Sequence, residues 1–400
     1  MDIWDFFLGC LLLPWVWRAL YFVRLTISAC RFASCTGKEG RTPNFIIFIP
    51  AHNEAACIAQ TLQSLASIDY PDARQEVLVI ADNCTDATAT IARESGAGVL
   101  ERSHEKLRGK GYALEYAIDH IKQRSEPPDA IVIIDADTHV ASDILQVFAR
   151  SLNQGSRFMQ AYYTVANPDD SWRTKLMTYA LSLFNGICLM GLVRMGLGAT
   201  LRGNGMCFSW QGLQSCPLRS YGLAEDMEYS WHLRLQGERV DFVPQTQVYG
   251  EMVRDAKTAV SQRQRWESGR KVLRQQFRQQ ILQASQHNWY RRLLMLSELY
   301  MWPLGRLLFW TLLAIILATG KLAYVGTSFF SSALLLLQFA FLLAFACYAA
   351  LPFLKMGLPW RYGLAVIYAP LYFFWKLSLL FKRGPKAWVR TTRNDERPGR

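Results

Sequence analysis

Three short runs dominated by apolar residues, Asn44 to Pro50, Gln75 to Ala81 and Ala130 to Ile134, alternate with stretches of helical spacing. Runs of five to seven residues are short for helices and too continuous for strands with one wet face, so each reads as a strand covered on both sides. Between them, Ile58, Leu62 and Leu65 recur at helical steps after Asn53, a potential cap. Asp86 to Ser95 is a second helical stretch ended by Gly96, Gly98 to Arg102 a short strand, and Lys110 to Ile121 a third helix. Such units join by right-handed crossovers, which predicts an α/β, Rossmann-like, mostly parallel sheet with helices on both faces.

Ligands in sheets of this kind sit beyond the carboxyl ends of the strands. His52, Asn53 and Glu54 follow the first run, Asp82 and Asn83 the second, and Asp135 and Asp137 the third, so three loops converge on one crevice. The pair Asp135 and Asp137 offers hard oxygen ligands two residues apart, suited to Mg²⁺ or Mn²⁺ bridging to a diphosphate. The alternative for the pair is a turn in which the first Asp caps the next helix. Asp82 ends a buried strand where a carboxylate can accept hydrogen bonds from a nucleobase or ribose, while Asp86 with Thr85 reads as a cap. Arg108-Gly109-Lys110-Gly111 is a basic, glycine-flanked helix entry that lets Lys110 approach a nucleotide, with a solvated turn as the alternative.

Further along, Glu225-Asp226 opens a helical stretch. Inversion at an anomeric carbon needs a base opposite the leaving group, and Asp226 is the candidate, with helix capping as the alternative. Gln262-Arg263-Gln264-Arg265-Trp266 places cations, amides and an indole within five residues: Gln262 and Arg265 can meet departing phosphate oxygens, and Trp266 can face an acceptor sugar ring.

The apolar residues, 51% of the 400, crowd the first 30 positions and the chain after Trp302. Phe6 to Val23 lacks a small-residue cleavage site and reads as an anchor, and Arg24, Arg31 and Lys38 after it place the next domain in the cytoplasm. Leu304 to Gly320, Phe329 to Leu354 and Gly363 to Phe381 each approach the ~20 residues of a membrane crossing. Three crossings would carry the basic tail of Lys382, Arg383, Lys386 and Arg390 outside, against the charge rule, unless one segment is re-entrant or interfacial, so their number stays open. Leu176 to Val193 is also long enough to cross, but a crossing there would separate the acidic pair from the later motifs, so it reads as interfacial, as does Trp289 to Trp302.

The formal net charge of +12 fits basic clusters flanking apolar segments, whereas nucleic-acid binding would need a basic face on a soluble module. Nine cysteines form no Cys-x-x-Cys pair or Cys/His ligand spacing and read as reduced structural thiols. The expected organisation is an anchor over 1–35, a cytoplasmic catalytic domain over 40–285, an amphipathic interfacial helix over 286–303, transmembrane helices over 304–382 and a basic tail over 383–400. Transmembrane helices are thus expected at both ends of a multi-pass protein of the inner or plasma membrane.

In order, Pro50-Ala51-His52-Asn53-Glu54, Asp82-Asn83, Lys110, Asp135-Ala136-Asp137, Glu225-Asp226 and Gln262-x-x-Arg265-Trp266 resemble the cellulose-, chitin- and hyaluronan-synthase-like inverting glycosyltransferases of family 2. The resemblance spans about residues 44 to 270. It implies a GT-A fold, a UDP-sugar donor, Mg²⁺ or Mn²⁺, and a β-linked product. By that similarity Glu54, Asp82, Lys110 and Asp135 hold the nucleotide, Asp137 the metal-diphosphate, and Asp226 is the base. Trp266, Asn204 and Glu225 are then acceptor-side, Asn204 through the loop Arg202-Gly203-Asn204-Gly205.

The function this implies is transfer to a growing β-linked surface polysaccharide, with an export partner subunit as a candidate partner. Two departures, Ala-Glu-Asp in place of Thr-Glu-Asp and a short tail, weaken polymer translocation. Lipid glucosyltransferases carry a similar Gln-x-x-Arg-Trp motif, so single-sugar transfer to a lipid is the alternative. A non-catalytic export scaffold and a nucleotidyltransferase are the rivals from other classes.

Overall fold

The computed structural model describes residues 3–34, 40–252, 256–284, 286–324 and 329–372. Within the helices, the side chains of 3–12, 256–267, 322, 324 and 329–331 fall outside that description. The strands are β1 (Phe45–Ala51), β2 (Gln75–Asp82), β3 (Gly98–Arg102), β4 (Ala130–Ile133), β5 (Thr138–Val140), β6 (Phe158–Val165), β7 (Met206–Ser209) and β8 (Val240–Gly250). They form a single sheet in the order β3-β2-β1-β4-β7-β6-β8-β5.

The first half follows the expectation closely. β3, β2, β1 and β4 are parallel neighbours. They are joined through α2 (Ile58–Ala66), α3 (Thr88–Glu94) and α4 (Lys110–Ile121), preceded in the chain by α1 (Ile3–Cys30). Alternate residues feed two cores: Ile46, Phe48, Leu78, Ile80, Ile131 and Ile133 pack on one face. Phe45, Ile47, Ile49, Val79 and Val132 pack on the other. Both faces being covered is why these strands are continuously apolar.

The mostly parallel expectation needs correction in the second half. β7 runs antiparallel to both β4 and β6, and β5 antiparallel to β8, so the sheet is mixed. The cause is local. The chain reaches β7 through a segment where Gly196, Gly198, Gly203 and Gly205 all take positive φ. Such bends cost glycine little and turn the chain back alongside β4. Strands of three and four residues, such as β5 and β7, are too short to announce themselves by periodicity.

The remaining helices are α5 (Ile144–Asn153), α6 (Trp172–Leu181), a π-helical turn (Ser182–Ile187), α7 (Cys188–Arg194), α8 (Trp210–Ser215), α9 (Glu225–Leu235), α10 (Ala256–Gln283), α11 (Trp289–Leu299), α12 (Leu304–Tyr324), α13 (Phe329–Met356) and α14 (Arg361–Leu364). Three helical stretches among the described residues are long and apolar enough to cross a membrane: Trp172–Arg194, Leu304–Lys321 and Ser332–Met356. These mark a multi-pass membrane protein; two of them lie in the C-terminal segment as expected and one in the middle of the chain, while α1, at the N-terminal end, is described in its side chains only from residue 13.

Burial separates the three. The first is 72% buried, against 22% and 28% for the others, whose apolar side chains face outward as lipid contact requires. Trp172–Arg194 is clamped instead. Tyr179 Oη donates to the Ala349 carbonyl at 2.8 Å, and Tyr348 Oη to the Leu183 carbonyl at 2.7 Å. Described residues of α1, among them Trp15 and Phe22, join the same core as Phe341 and Tyr348 of α13 and continue it beneath the sheet. The third tail segment enters the description only as far as residue 372, as a helical run of α14, a 3-10 helix over Ala365–Tyr368 and the helical residues 369–372, and the basic tail lies outside it.

Candidate active site

Two residues other than glycine adopt positive φ among the described residues, Asn53 (56°) and Asn83 (52°). They stand just past β1 and β2. Asn tolerates this conformation better than most residues, because its side chain bonds nearby backbone. Here each carboxamide ties its loop to a neighbour: Asn53 Oδ1 accepts from Thr85 N at 2.7 Å, and Asn83 Oδ1 from His104 N at 2.9 Å. Asn53 therefore does not cap α2, whose cap position is Cys57. Asp86 does act near a helix start, accepting from Thr88 N at 3.0 Å.

Asp82 and Arg102 end β2 and β3 and are register partners across the ladder. Their side chains pair at 2.5 Å, each only 8% exposed. Arg102 also donates to the Leu107 carbonyl at 2.7 Å, fixing the loop that leads to Lys110. His52 Nδ1 donates to the Asp82 carbonyl at 2.7 Å, joining the β1 and β2 loops. The partnership of Arg102 is one that sequence reading missed. Its signal was available, since a parallel register that aligns two strand ends brings a terminal Arg beside a terminal Asp.

Asp135, Ala136 and Asp137 form the turn between β4, at the centre of the sheet, and β5, at its far edge. The Ala136 carbonyl accepts from Thr61 Oγ1 at 2.7 Å and Cys57 Sγ at 3.2 Å, and the same thiol lies 3.4 Å from Glu54 Oε2. From the opposite side, Asn204 Oδ1 accepts from Asp135 N at 3.2 Å while its Nδ2 donates to Thr138 Oγ1 at 2.7 Å. Asn204 is fully buried. Its carboxamide is thus engaged in holding the acidic turn. Gln160, also fully buried, donates to the Asn204 carbonyl at 2.8 Å and accepts from Arg202 N at 2.8 Å, so β6 fixes the 202–204 loop. A lone glutamine inside an apolar strand was a legible but unread signal.

Lys110 is the hub. Its ammonium pairs with Asp135 and donates to the Gly203 carbonyl at 2.5 Å. Burial opposes its charge, but Asp135, Glu225 and Asp226 together hold its pKa above the usual lysine range. Asp226 Oδ2 lies against Gly203, where an added Cβ would sit 3.3 Å away. Two acids distant in sequence from the strand ends therefore act on the same lysine as Asp135.

The approach depends on Gly111: a Cβ there would overlap the backbone carbonyl of Ser220. Tyr112 stacks on Tyr221 with ring centroids 4.3 Å apart, and Tyr221 Oη donates to Glu115 at 2.7 Å. These contacts seal α4 to the segment entering α9 and carry Glu225 and Asp226 to the site. Gln262, Arg265 and Trp266 lie on the α10 backbone, but their side chains are outside the described residues.

Among the described residues no group of three His, Cys, Asp or Glu side chains converges as a complete metal cage. Asp135 and Asp137 supply hard oxygen donors at one turn, a partial set that suits a cation sharing its shell with phosphate oxygens and water.

A family model described as "Glycosyltransferase like family 2" matches residues 43–269. A β-monoglucosyldiacylglycerol synthase of Nostoc sp. is 30% identical over 238 residues, 58% of this chain and 50% of that protein. A 4,4'-diaponeurosporenoate glycosyltransferase of Staphylococcus haemolyticus is 31% identical over 137 residues, 33% of this chain and 36% of its own. The chain thus spans about half the length, or less, of these relatives. Among solved structures, the mannosyltransferase PcManGT from Pyrobaculum calidifontis, in complex with GDP-Man and Mn²⁺, superposes with a TM-score of 0.54 at 16% identity, covering 86% of this chain and 98% of that one. That likeness concerns the fold.

Proposed function

Because the chain belongs to the glycosyltransferase-like family 2, we propose that it transfers a single sugar from a UDP-sugar to a lipid acceptor at the membrane face, with inversion. The observation that carries this reading is Lys110, which pairs with Asp135, donates to the Gly203 carbonyl and feels the charges of Glu225 and Asp226, with Asp226 lying against Gly203, beside a helical stretch clamped to α13. Donor residues and a candidate base converge where an apolar acceptor arrives.

In this reading Asp82 and Glu54 face the nucleoside, and Arg102 holds Asp82 in place. Lys110 orients Asp135 toward the nucleotide, and Asn204 acts as a positioning residue for the acidic turn. Asp226 takes the proton of the acceptor hydroxyl as its oxygen attacks the anomeric carbon. The bond from that carbon to the phosphate oxygen breaks, and UDP leaves with the electron pair. Mg²⁺ or Mn²⁺ held by Asp137 and the diphosphate would neutralise charge on the leaving group. Glu225 stands beside the base. Gln262, Arg265 and Trp266 are assigned to the diphosphate and acceptor by resemblance alone.

The lipid acceptor is favoured over a growing polysaccharide by the relatives named β-monoglucosyldiacylglycerol synthase, which match over more than half of this chain. In this reading the catalytic domain over 40–285 faces the cytoplasm. The test is purified full-length protein in detergent micelles with radiolabelled UDP-glucose, Mn²⁺ and diacylglycerol or phosphatidylglycerol. One added sugar per lipid is the expected product. A ladder of lengthening products would return the polysaccharide reading, and neither transfer nor UDP release with any common UDP-sugar would sink the proposal.

A further inference from the structure

The π-helical turn Ser182–Ile187 interrupts an otherwise continuous helix beside the active site. Such turns are rare, and they displace side chains and free a backbone carbonyl. Leu183 and Asn185 are buried, whereas Phe184 is turned out and 38% exposed. Its carbonyl accepts from Arg202 Nη2 at 2.9 Å, and the Arg202 guanidinium carbon lies 3.9 Å from the centre of the Phe184 ring. Arg270, from α10, approaches the same ring at 5.1 Å.

Two cations thus share one aromatic ring. Arg202 Nε is buried with no hydrogen-bond partner, and no described carboxylate forms an ion pair with this guanidinium. Burial, with a smaller push from the nearby Arg270, takes the Arg202 pKa down to about 10, against opposing attraction from Cys188, Asp226 and Glu298. A fixed cation held this way, with a second beside it, is stabilised by an incoming anion that supplies the missing acceptor atoms.

We propose that Arg202, Phe184 and Arg270 form an anion-binding subsite that grips a phosphate or carboxylate carried by the acceptor while Asp226 deprotonates its hydroxyl. The position follows from the chain: Arg202 adjoins Gly203, against which Asp226 lies, and Phe184 sits between Leu183 and Gly186, which contact Tyr348 and Met356 of α13. The subsite therefore joins the base to the membrane-length helices. It rests on the functional reading above and narrows it, from any lipid hydroxyl to the hydroxyl of an acidic acceptor. Lys110, assigned to the donor in the reading above, bonds the Gly203 carbonyl and is a separate cation from Arg202.

The test compares three hydroxyl acceptors with full-length protein in neutral detergent: phosphatidylglycerol, diacylglycerol and glycerol 3-phosphate. Phosphatidylglycerol is expected to be preferred over diacylglycerol. Arg202→Gln should raise its KM by about 10- to 100-fold while leaving the KM of UDP-glucose and acceptor-free UDP release within about two-fold. Arg270→Gln should do the same more weakly, and it keeps the test alive if the first variant does not fold. Arg202→Lys should restore part of the preference. Glycerol 3-phosphate used with the same arginine dependence would also support the subsite and assign the anion to a soluble acceptor. Preference for diacylglycerol, or equal losses on acidic and neutral acceptors, would overturn it while the transferase reading stands. Absence of both UDP release and transfer would remove the reading itself, and this inference with it.

Discussion

The two halves of the sheet handle buried charge differently. On the parallel side, at the ends of β1 to β4, charges are closed into pairs: Asp82 with Arg102, and Asp135 with Lys110. On the mixed side, Arg202 rests on a phenyl ring with one nitrogen buried and unpartnered. A paired site is organised before its ligand arrives, which suits recognition of one constant group such as a nucleotide. An unsatisfied cation gains most of its stabilisation only when an anion binds, which suits discrimination among acceptors. On the proposed function, the parallel side would then serve to orient the donor and the mixed side to select the acceptor.

The sharpest way to break that comparison is at its meeting point. Asp226→Asn should lower kcat for transfer by about 10²- to 10⁴-fold, with UDP binding by calorimetry unchanged. A variant that keeps its turnover would remove the base from the acceptor side altogether. On the donor side, Lys110→Met removes the cation that pairs with Asp135, and kcat/KM for the UDP-sugar should fall about 10- to 100-fold. If that loss appears only with acidic acceptors, Lys110 belongs to the other half.

Gly111→Ala tests the seam between the halves. Its new Cβ would overlap the Ser220 carbonyl, so urea unfolding should show a loss of about 1–3 kcal/mol, with transfer declining in parallel. Unaltered stability would mean that α4 and the segment entering α9 are less tightly sealed. The smallest effect is in pH. The pKa of Lys110 is held above its ordinary 10.5, the attraction of Asp135, Glu225 and Asp226 outweighing burial. A raised lysine contributes stability that is fully present below its unfolded pKa and lost as pH rises through the folded one. Donor KM should therefore be flat from about pH 7 to about pH 10 on its account. A rise below about pH 9 that Lys110→Arg abolishes would show a pair weaker than drawn.

The apolar stretches carry a second lesson. Trp172–Arg194 and Ser332–Met356 look alike by length and composition, yet one is 72% buried and the other 28%. Hydropathy counts atoms and not neighbours, so sequence alone could offer only the incompatibility of a crossing at Leu176 to Val193 with a single catalytic domain.

The sequence by itself determined β1 to β4, the helices between them and the strand-end acids, because local periodicity and strand-end chemistry are properties of contiguous residues. Lys110 to Ile121 and Gly98 to Arg102 fall where the pattern placed them. Tertiary structure alone decided the antiparallel return of β7, the Arg102–Asp82 pair, the grip of Asn204 on the acidic turn, and the stacking of Arg202 on Phe184. Each joins residues from 18 to 79 positions apart through a register, a glycine bend or a π-helical turn. Such contacts are set by where packed elements meet, which no window of local sequence contains.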